Sequence, residues 1–324
     1  METKITFQPI KYIPIHIDTI QPDEPLPCDL YLKAISRGKV TYSLLKREGE
    51  RLEVQEKERL LQEDIHLLFI RDSEIEKYER YLNRLLRMTD SESRSVLLYQ
   101  RASLVVRELF EEPLSQLPFL KALWTVDELI KSMVEDEKLL SNLFELMSYD
   151  YHTYTHCVNV CLLSLGFSIH LDLRDSMRDI GLGSLLHDIG KRMIDREILE
   201  KPGPLTDEEW EQMRKHPLYS FEMLRDVGNV SWIACDIALQ HHEKMDGSGY
   251  PRGLRGAMIH RFSRMVCIAD VFDALTSRRP YGEGMRPYDA LMLMAEEMRG
   301  KLDRELLREF ILFLSELSRI KGRG

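Results

Sequence analysis

The chain has 324 residues, 44% of them apolar, which suits two globular domains that each bury a core. Its 45 basic and 54 acidic side chains leave a net charge of −9, which argues against a broad electrostatic binder of extended nucleic acid. Five cysteines (Cys28, Cys157, Cys161, Cys235, Cys267) form no CxxC pair and no regular framework, so they read as reduced thiols of a cytoplasmic protein.

The opening METKITFQPIKYIPIHID is charged and has no continuous apolar core, unlike a signal peptide. Within residues 1–75, KITFQPIKYIPI, CDLYLKAI, KVTYSLLKR and LLFIRD are β-branched, aromatic or alternating, with Pro and Gly between them. They predict strands joined by turns, a small β-rich (α+β) N-terminal domain. From Ser73 to about Tyr149 the apolar residues recur at helical spacing, as in SEIEKYERYLNRLL and SVLLYQRASLVVRELF, with a break at MTDSES. Residues 76–139 are assigned as a helical connector whose apolar stripes suit a core, a homodimer interface, or both. Residues 140–324 stay helical between polar loops, so the fold class is mainly α. The longest apolar run, near Val158–Ile169, contains Asn159, Ser164, Gly166 and Ser168 and is too short to span a bilayer.

Eight of the ten histidines lie between residues 152 and 260, a clustering that composition alone does not explain. His187 and Asp188 adjoin in LLHDIGK; an isolated pair of this kind is usually a buried hydrogen bond. A carboxylate, however, has two oxygens and can bridge two metals. Lys191 follows on the same face. His156 has His152 one turn earlier, an i, i+4 pair that could clamp a metal. His216 precedes Pro217 at a helix start. His241 and His242 close an apolar helical run and open onto EKMDGSGYP. Asp270 sits in the apolar helix RMVCIADVFDALTS, where a carboxylate needs a partner or a metal, and Asp273 one turn on could support it. Mixed imidazole and carboxylate donors suit Fe, Mn, Zn or Ni better than Mg or Ca. Their number exceeds what one ion needs, so two metals bridged by Asp188 is the economical reading, suited to phosphodiester hydrolysis.

His156, LLHDIGK, His216, HHEKMDGSGYP and IADVFDALTSRRPY, in this order, resemble the HD-GYP family of cyclic di-GMP phosphodiesterases over roughly residues 140–320. KPGPLTDEEW and RGKLDRELLREF add to the likeness. The resemblance implies an all-helical HD domain with extra C-terminal helices. It implies metal ligands at His156, His187, Asp188, His216, His241, His242 and Asp270, with Asp188 bridging. The metals would be two divalent transition ions, Fe or Mn first, with Zn or Ni as alternatives. Asp188 and Lys191 would be the catalytic residues. Lys191, Gly249, Tyr250, Pro251, Arg278 and Arg279 would face the substrate, cyclic di-GMP, hydrolysed to pGpG or on to GMP by a water the metals activate. The GYP loop is linked in the family to contact with diguanylate cyclase domains.

Two departures stand out. Some members hold a third metal with a Glu four residues before the first histidine; here that position is His152, a candidate extra ligand that cannot bridge as a carboxylate can. Members often carry Lys or Arg after RPY; here it is Gly282, so one phosphate contact is expected to be missing, which would weaken affinity or leave the contact to Arg279 or Arg286. Two alternatives stay open: a cyclic-dinucleotide receptor with weak turnover, and a phosphohydrolase acting on another cyclic dinucleotide.

Overall fold

The computed structural model describes residues 11–22, 24–36, 39–88, 91–111, 116–147, 153–201, 203–277 and 284–321. Compactness divides the chain into residues 1–101 and 102–324.

The first unit is built on four antiparallel strands, β1 (Tyr12–His16), β2 (Leu30–Ser36), β3 (Lys39–Lys46) and β4 (Leu67–Arg71), in the order β1-β4-β2-β3. Alternation puts Ile13 and Ile15 of β1 and Leu68 and Ile70 of β4 in the core. The strands fall where the sequence patterns placed them, except that residues 1–10 lie outside the described set. One expectation needs correcting: VQEKERLLQ is a helix, α1 (Val54–Gln62), and not part of a strand-and-turn run. Only Leu60 of α1 is fully buried, so charged residues hide its helical period. Helix α2 (Ile75–Met88) buries Tyr78, Tyr81, Leu82 and Leu85 in the same unit. Helix α3 (Ser91–Glu111) follows, and the division between the units falls within it. The division lies within residues 76–139, the segment assigned from sequence as the connector.

The second unit continues with α4 (Gln116–Glu135), α5 (Glu137–Leu146), α6 (Thr153–His170) and α7 (Met177–Leu185). Then come the short α8 (Arg196–Leu199), α9 (Asp207–Met213), α10 (His216–Val227), α11 (Trp232–Gln240), α12 (Arg261–Thr276), α13 (Pro287–Glu296) and α14 (Arg304–Lys321). Helices α6, α7, α11 and α12 pack together and carry little charge, so they are buried nearly all round. Among the polar residues they bury are His156, Asn159, Asp270 and Asp273. No described helix is long and apolar enough to cross a membrane.

Candidate metal centre

Five elements deliver the polar residues to one point. Helix α6 brings His156. Helix α7 stops at Leu185, and a 3-10 turn over Ile189–Met193 follows, so His187 and Asp188 stand at the helix end. His216 opens α10, with Pro217 in its first turn. His241 caps α11, with His242 next, and Asp270 lies within α12. His156, His187, Asp188, His216, His241 and Asp270 are each at most 6% exposed.

The rings share one pattern of anchoring. His187, His216 and His241 donate from Nδ1 to the carbonyls of Ser184, Met213 and Ala238, each three residues back, at 2.7, 2.7 and 2.8 Å. That bond fixes the tautomer, so each Nε2 presents a lone pair to the interior. His156 donates from Nδ1 to Asp273 Oδ2 at 2.7 Å, and Asp273 Oδ1 accepts from Asn159 and Ser277 at 2.9 Å each.

Asp188 stands between two groups of these lone pairs. Its Oδ1 lies 3.1 Å from His216 Nε2 and 3.8 Å from His241 Nε2. Its Oδ2 lies 3.5 Å from His187 Nε2 and 3.8 Å from His156 Nε2, beside Lys191 Nζ. Asp270 reaches His156 Nε2 at 3.1 Å with one oxygen and His242 Nδ1 at 3.5 Å with the other. Two groups can therefore each close on a metal: Asp188, His216, His241 and His242, and His156, His187 and Asp270. Cys157 with His187 and Asp188 is a third geometric possibility, its thiol pushed well above its ordinary value by burial.

The donors fit a cation. His216 Nε2 and His241 Nε2 are 3.3 Å apart, yet both rings have already committed their protons to carbonyls. Two lone pairs so placed repel unless a positive ion lies between them. His187 Nε2 and Asp188 Oδ1 are enclosed with no hydrogen-bond partner, a costly state for buried polar atoms. Burial opposes the charge on Asp188, but Lys191 beside it holds it well below the usual carboxylate range. Burial likewise opposes the charge on Asp270, which the adjacent His156 and His242 hold well below that range. Burial depresses His216, and it depresses His241 and His242 further with help from neighbouring imidazoles, so the rings stay neutral, the form that ligates.

The GYP loop folds over this cluster. The Tyr250 ring lies 4.7 Å from the His242 ring, and burial raises its phenol. A Cβ on Gly249 would sit 2.4 Å from the Lys244 nitrogen and 2.5 Å from the His242 carbonyl oxygen, so only glycine lets the loop lie this close. Pro251 follows Tyr250 in the same loop. The buried Glu243 carboxylate accepts from the amides of Arg252 and Leu254 at 2.7 and 2.9 Å and pins the loop's far side.

All seven expected ligands thus converge, with Lys191 beside Asp188. His152, Arg278 and Arg279 lie outside the described residues. The sequence reading did not assign Glu243, Asn159 or Ser277 to the site. Glu243 alone carried a signal, an acid directly after two histidines.

The HD-domain family profile matches residues 146–306. Cyclic di-GMP phosphodiesterase PA4108 of Pseudomonas aeruginosa is 42% identical over 187 residues, 57% of this chain and 45% of the relative. The 3'3'-cGAMP-specific phosphodiesterase 1 of Vibrio cholerae is 37% identical over 191 residues, 58% of this chain and 43% of the relative. The chain thus spans less than half the length of these relatives. The HDG"Y"P protein Bd1817 of Bdellovibrio bacteriovorus shares the fold, with a TM-score of 0.71 at 20% identity over 94% of this chain and all of that one. Residues 146–306 therefore carry an HD domain, in a fold shared with an HDG"Y"P protein. The His and Asp clusters are able to bind metal, as expected of a metal-dependent family.

Proposed function

We propose that the chain is a metal-dependent phosphodiesterase that hydrolyses cyclic di-GMP to pGpG, and on to GMP where the linear product is accepted. The observation that carries this reading is the position of Asp188, with one oxygen toward each group of ligands. His156, His187, Asp188, His216, His241, His242 and Asp270 would hold two divalent transition ions, Fe or Mn in the first place and Zn or Ni otherwise. When bound, such a pair supplies the Lewis acidity that phosphodiester hydrolysis needs at neutral pH.

The chain's own residues do the rest. The Nδ1 anchors hold the rings rigid, so little reorganisation accompanies reaction. Lys191, beside Asp188, can neutralise charge growing on the phosphoryl group or protonate the leaving oxygen. Gly249, Tyr250 and Pro251 cover the cluster and exclude water from one side, and Arg278 and Arg279 are assigned to the phosphates. His152 is a candidate further ligand. In this reading residues 140–324 form the phosphodiesterase domain, 76–139 a connector and homodimer surface, and 1–75 a regulatory domain. The protein works in the cytoplasm, and the GYP loop doubles as a contact for diguanylate cyclase domains.

A second substrate is favoured by one observation: a relative matched across the same region is named for 3'3'-cGAMP. The test is to load purified protein anaerobically with Fe(II), and in parallel with Mn(II), and to separate nucleotides after incubation with each cyclic dinucleotide. Appearance of pGpG supports the proposal, and faster loss of cGAMP moves the substrate. Binding of either dinucleotide to fully metallated protein without turnover makes the chain a receptor and refutes the enzyme.

A further inference from the structure

We propose that Arg214 is a substrate-recognition residue that holds the second phosphodiester of a cyclic dinucleotide, the one not at the metals. This rests on the reading of the site as one for cyclic dinucleotides.

Arg214 lies two residues before His216, and its guanidinium sits 6.0 Å from the Trp210 ring centre and 5.9 Å from that of Tyr250. Tyr250 in turn lies 4.7 Å from the His242 ring, so the guanidinium stands one aromatic ring away from the ligand cluster. It makes no ion pair or hydrogen bond to a described residue. Arg214 is exposed, whereas Arg178, Arg196, Arg225, Arg264 and Arg286 pair with acids. In a chain of net charge −9, its guanidinium pairs with no carboxylate among the described residues.

The group is nevertheless held. Two ring faces stabilise a guanidinium by cation–π attraction and leave its N–H edge free to fork onto a phosphate. The backbone holds it too: Arg214 N donates to Trp210 O at 2.9 Å, and the adjoining Met213 carbonyl anchors the His216 ring. One tight turn thus sets both the guanidinium and a metal-facing imidazole. A cyclic dinucleotide has two phosphodiesters; with one at the ligand cluster, the other remains an anion in search of a cation. The bland alternative is a surface Trp–Arg pair that only stabilises the end of α9.

The experiment compares wild type, Arg214→Ala, Arg214→Lys and Lys215→Ala, all loaded with Mn(II), on cyclic di-GMP and on bis(p-nitrophenyl) phosphate, which carries a single phosphate. Lys215→Ala removes the same charge from an exposed neighbour and should leave both reactions unchanged. Arg214→Ala should raise KM for cyclic di-GMP about tenfold or more, as expected for a lost charged hydrogen bond. The ratio of kcat/KM for cyclic di-GMP to that for the small diester should fall by a similar factor. Arg214→Lys should recover only part, since an ammonium lacks the planar fork. A wild-type KM in Arg214→Ala, or an equal loss on both substrates, overturns the inference. Wild-type protein that neither binds nor cleaves a cyclic dinucleotide refutes the reading of the site, and the inference falls with it.

Discussion

Replacing Asp273 with Asn should loosen the metal cage without removing a ligand. Asp273 Oδ2 takes the His156 Nδ1 bond at 2.7 Å, while Oδ1 accepts from Asn159 and Ser277 at 2.9 Å each. An asparagine of the same shape has one acceptor and one NH2. If its oxygen keeps His156, its NH2 meets the Asn159 NH2; if it turns, its NH2 meets the His156 N–H. Either way a buried donor loses its acceptor, at a cost of about 1–3 kcal/mol. His156 also loses the carboxylate behind it, and changes of this kind lower metal affinity about 10- to 100-fold. At about 1.4 kcal/mol per decade, that is about 1.4–2.8 kcal/mol of binding. Chelator competition for Mn(II) against wild type reads the shift directly, with circular dichroism to check the fold. A folded Asp273→Asn protein with the wild-type midpoint would refute the claim that Asp273 acts on the metal through His156.

Further perturbations test other parts of the site. Asp188→Ala removes the carboxylate common to both ligand groups, so metal content and turnover should vanish while the far-UV helical signal persists. Gly190→Ala would put a Cβ 2.1 Å from the His216 carbonyl oxygen and 2.5 Å from the Ser220 nitrogen. Backbone must then move, which should cost about 1–3 kcal/mol in urea unfolding and weaken metal binding with it; an unchanged midpoint contradicts this. Glu243→Ala strips the acceptor from the Arg252 and Leu254 amides, which should exchange hydrogen faster while α12 stays protected. The pH response follows from His216, His241 and His242, whose folded-state values lie below the ordinary histidine value. Below about pH 6.5 the unfolded chain binds protons that the folded chain refuses. Stability of the chelated protein should be whole above about pH 6.5 and fall on acidification, by up to about 1.4 kcal/mol per imidazole per pH unit. Losses through Asp188 and Asp270 begin only below about pH 4. Urea midpoints that match at about pH 7.5 and about pH 5.5 would contradict the assignment of buried neutral rings.

The residues proposed as ligands stand out in the sequence because each breaks a local rule. Asp270 sits in an apolar helix, His241 and His242 end one, and His187 and Asp188 follow a run that would otherwise continue a core. What holds those donors was hidden, because the Ser184, Met213 and Ala238 acceptors are backbone carbonyls with no side-chain signature. Asp273 could be suspected from its spacing, whereas its partner Asn159 lies 114 residues away and meets it only in the folded chain. In the first unit the strands follow from alternation, but α1 escaped notice because Leu60 alone is fully buried on it. The sequence confines the boundary between units to the helical stretch from Ser73 to Tyr149, and no turn or loop marks its position because the division falls within helix α3.

Metal stoichiometry tests the two-metal cage most directly. Protein reconstituted anaerobically with Fe(II) or Mn(II), freed of excess ion and assayed by elemental analysis, should carry two ions per chain. Asp188→Ala treated identically should carry none. A single ion per chain in the wild type, or full loading that survives the loss of Asp188, would contradict a dinuclear site bridged by that carboxylate.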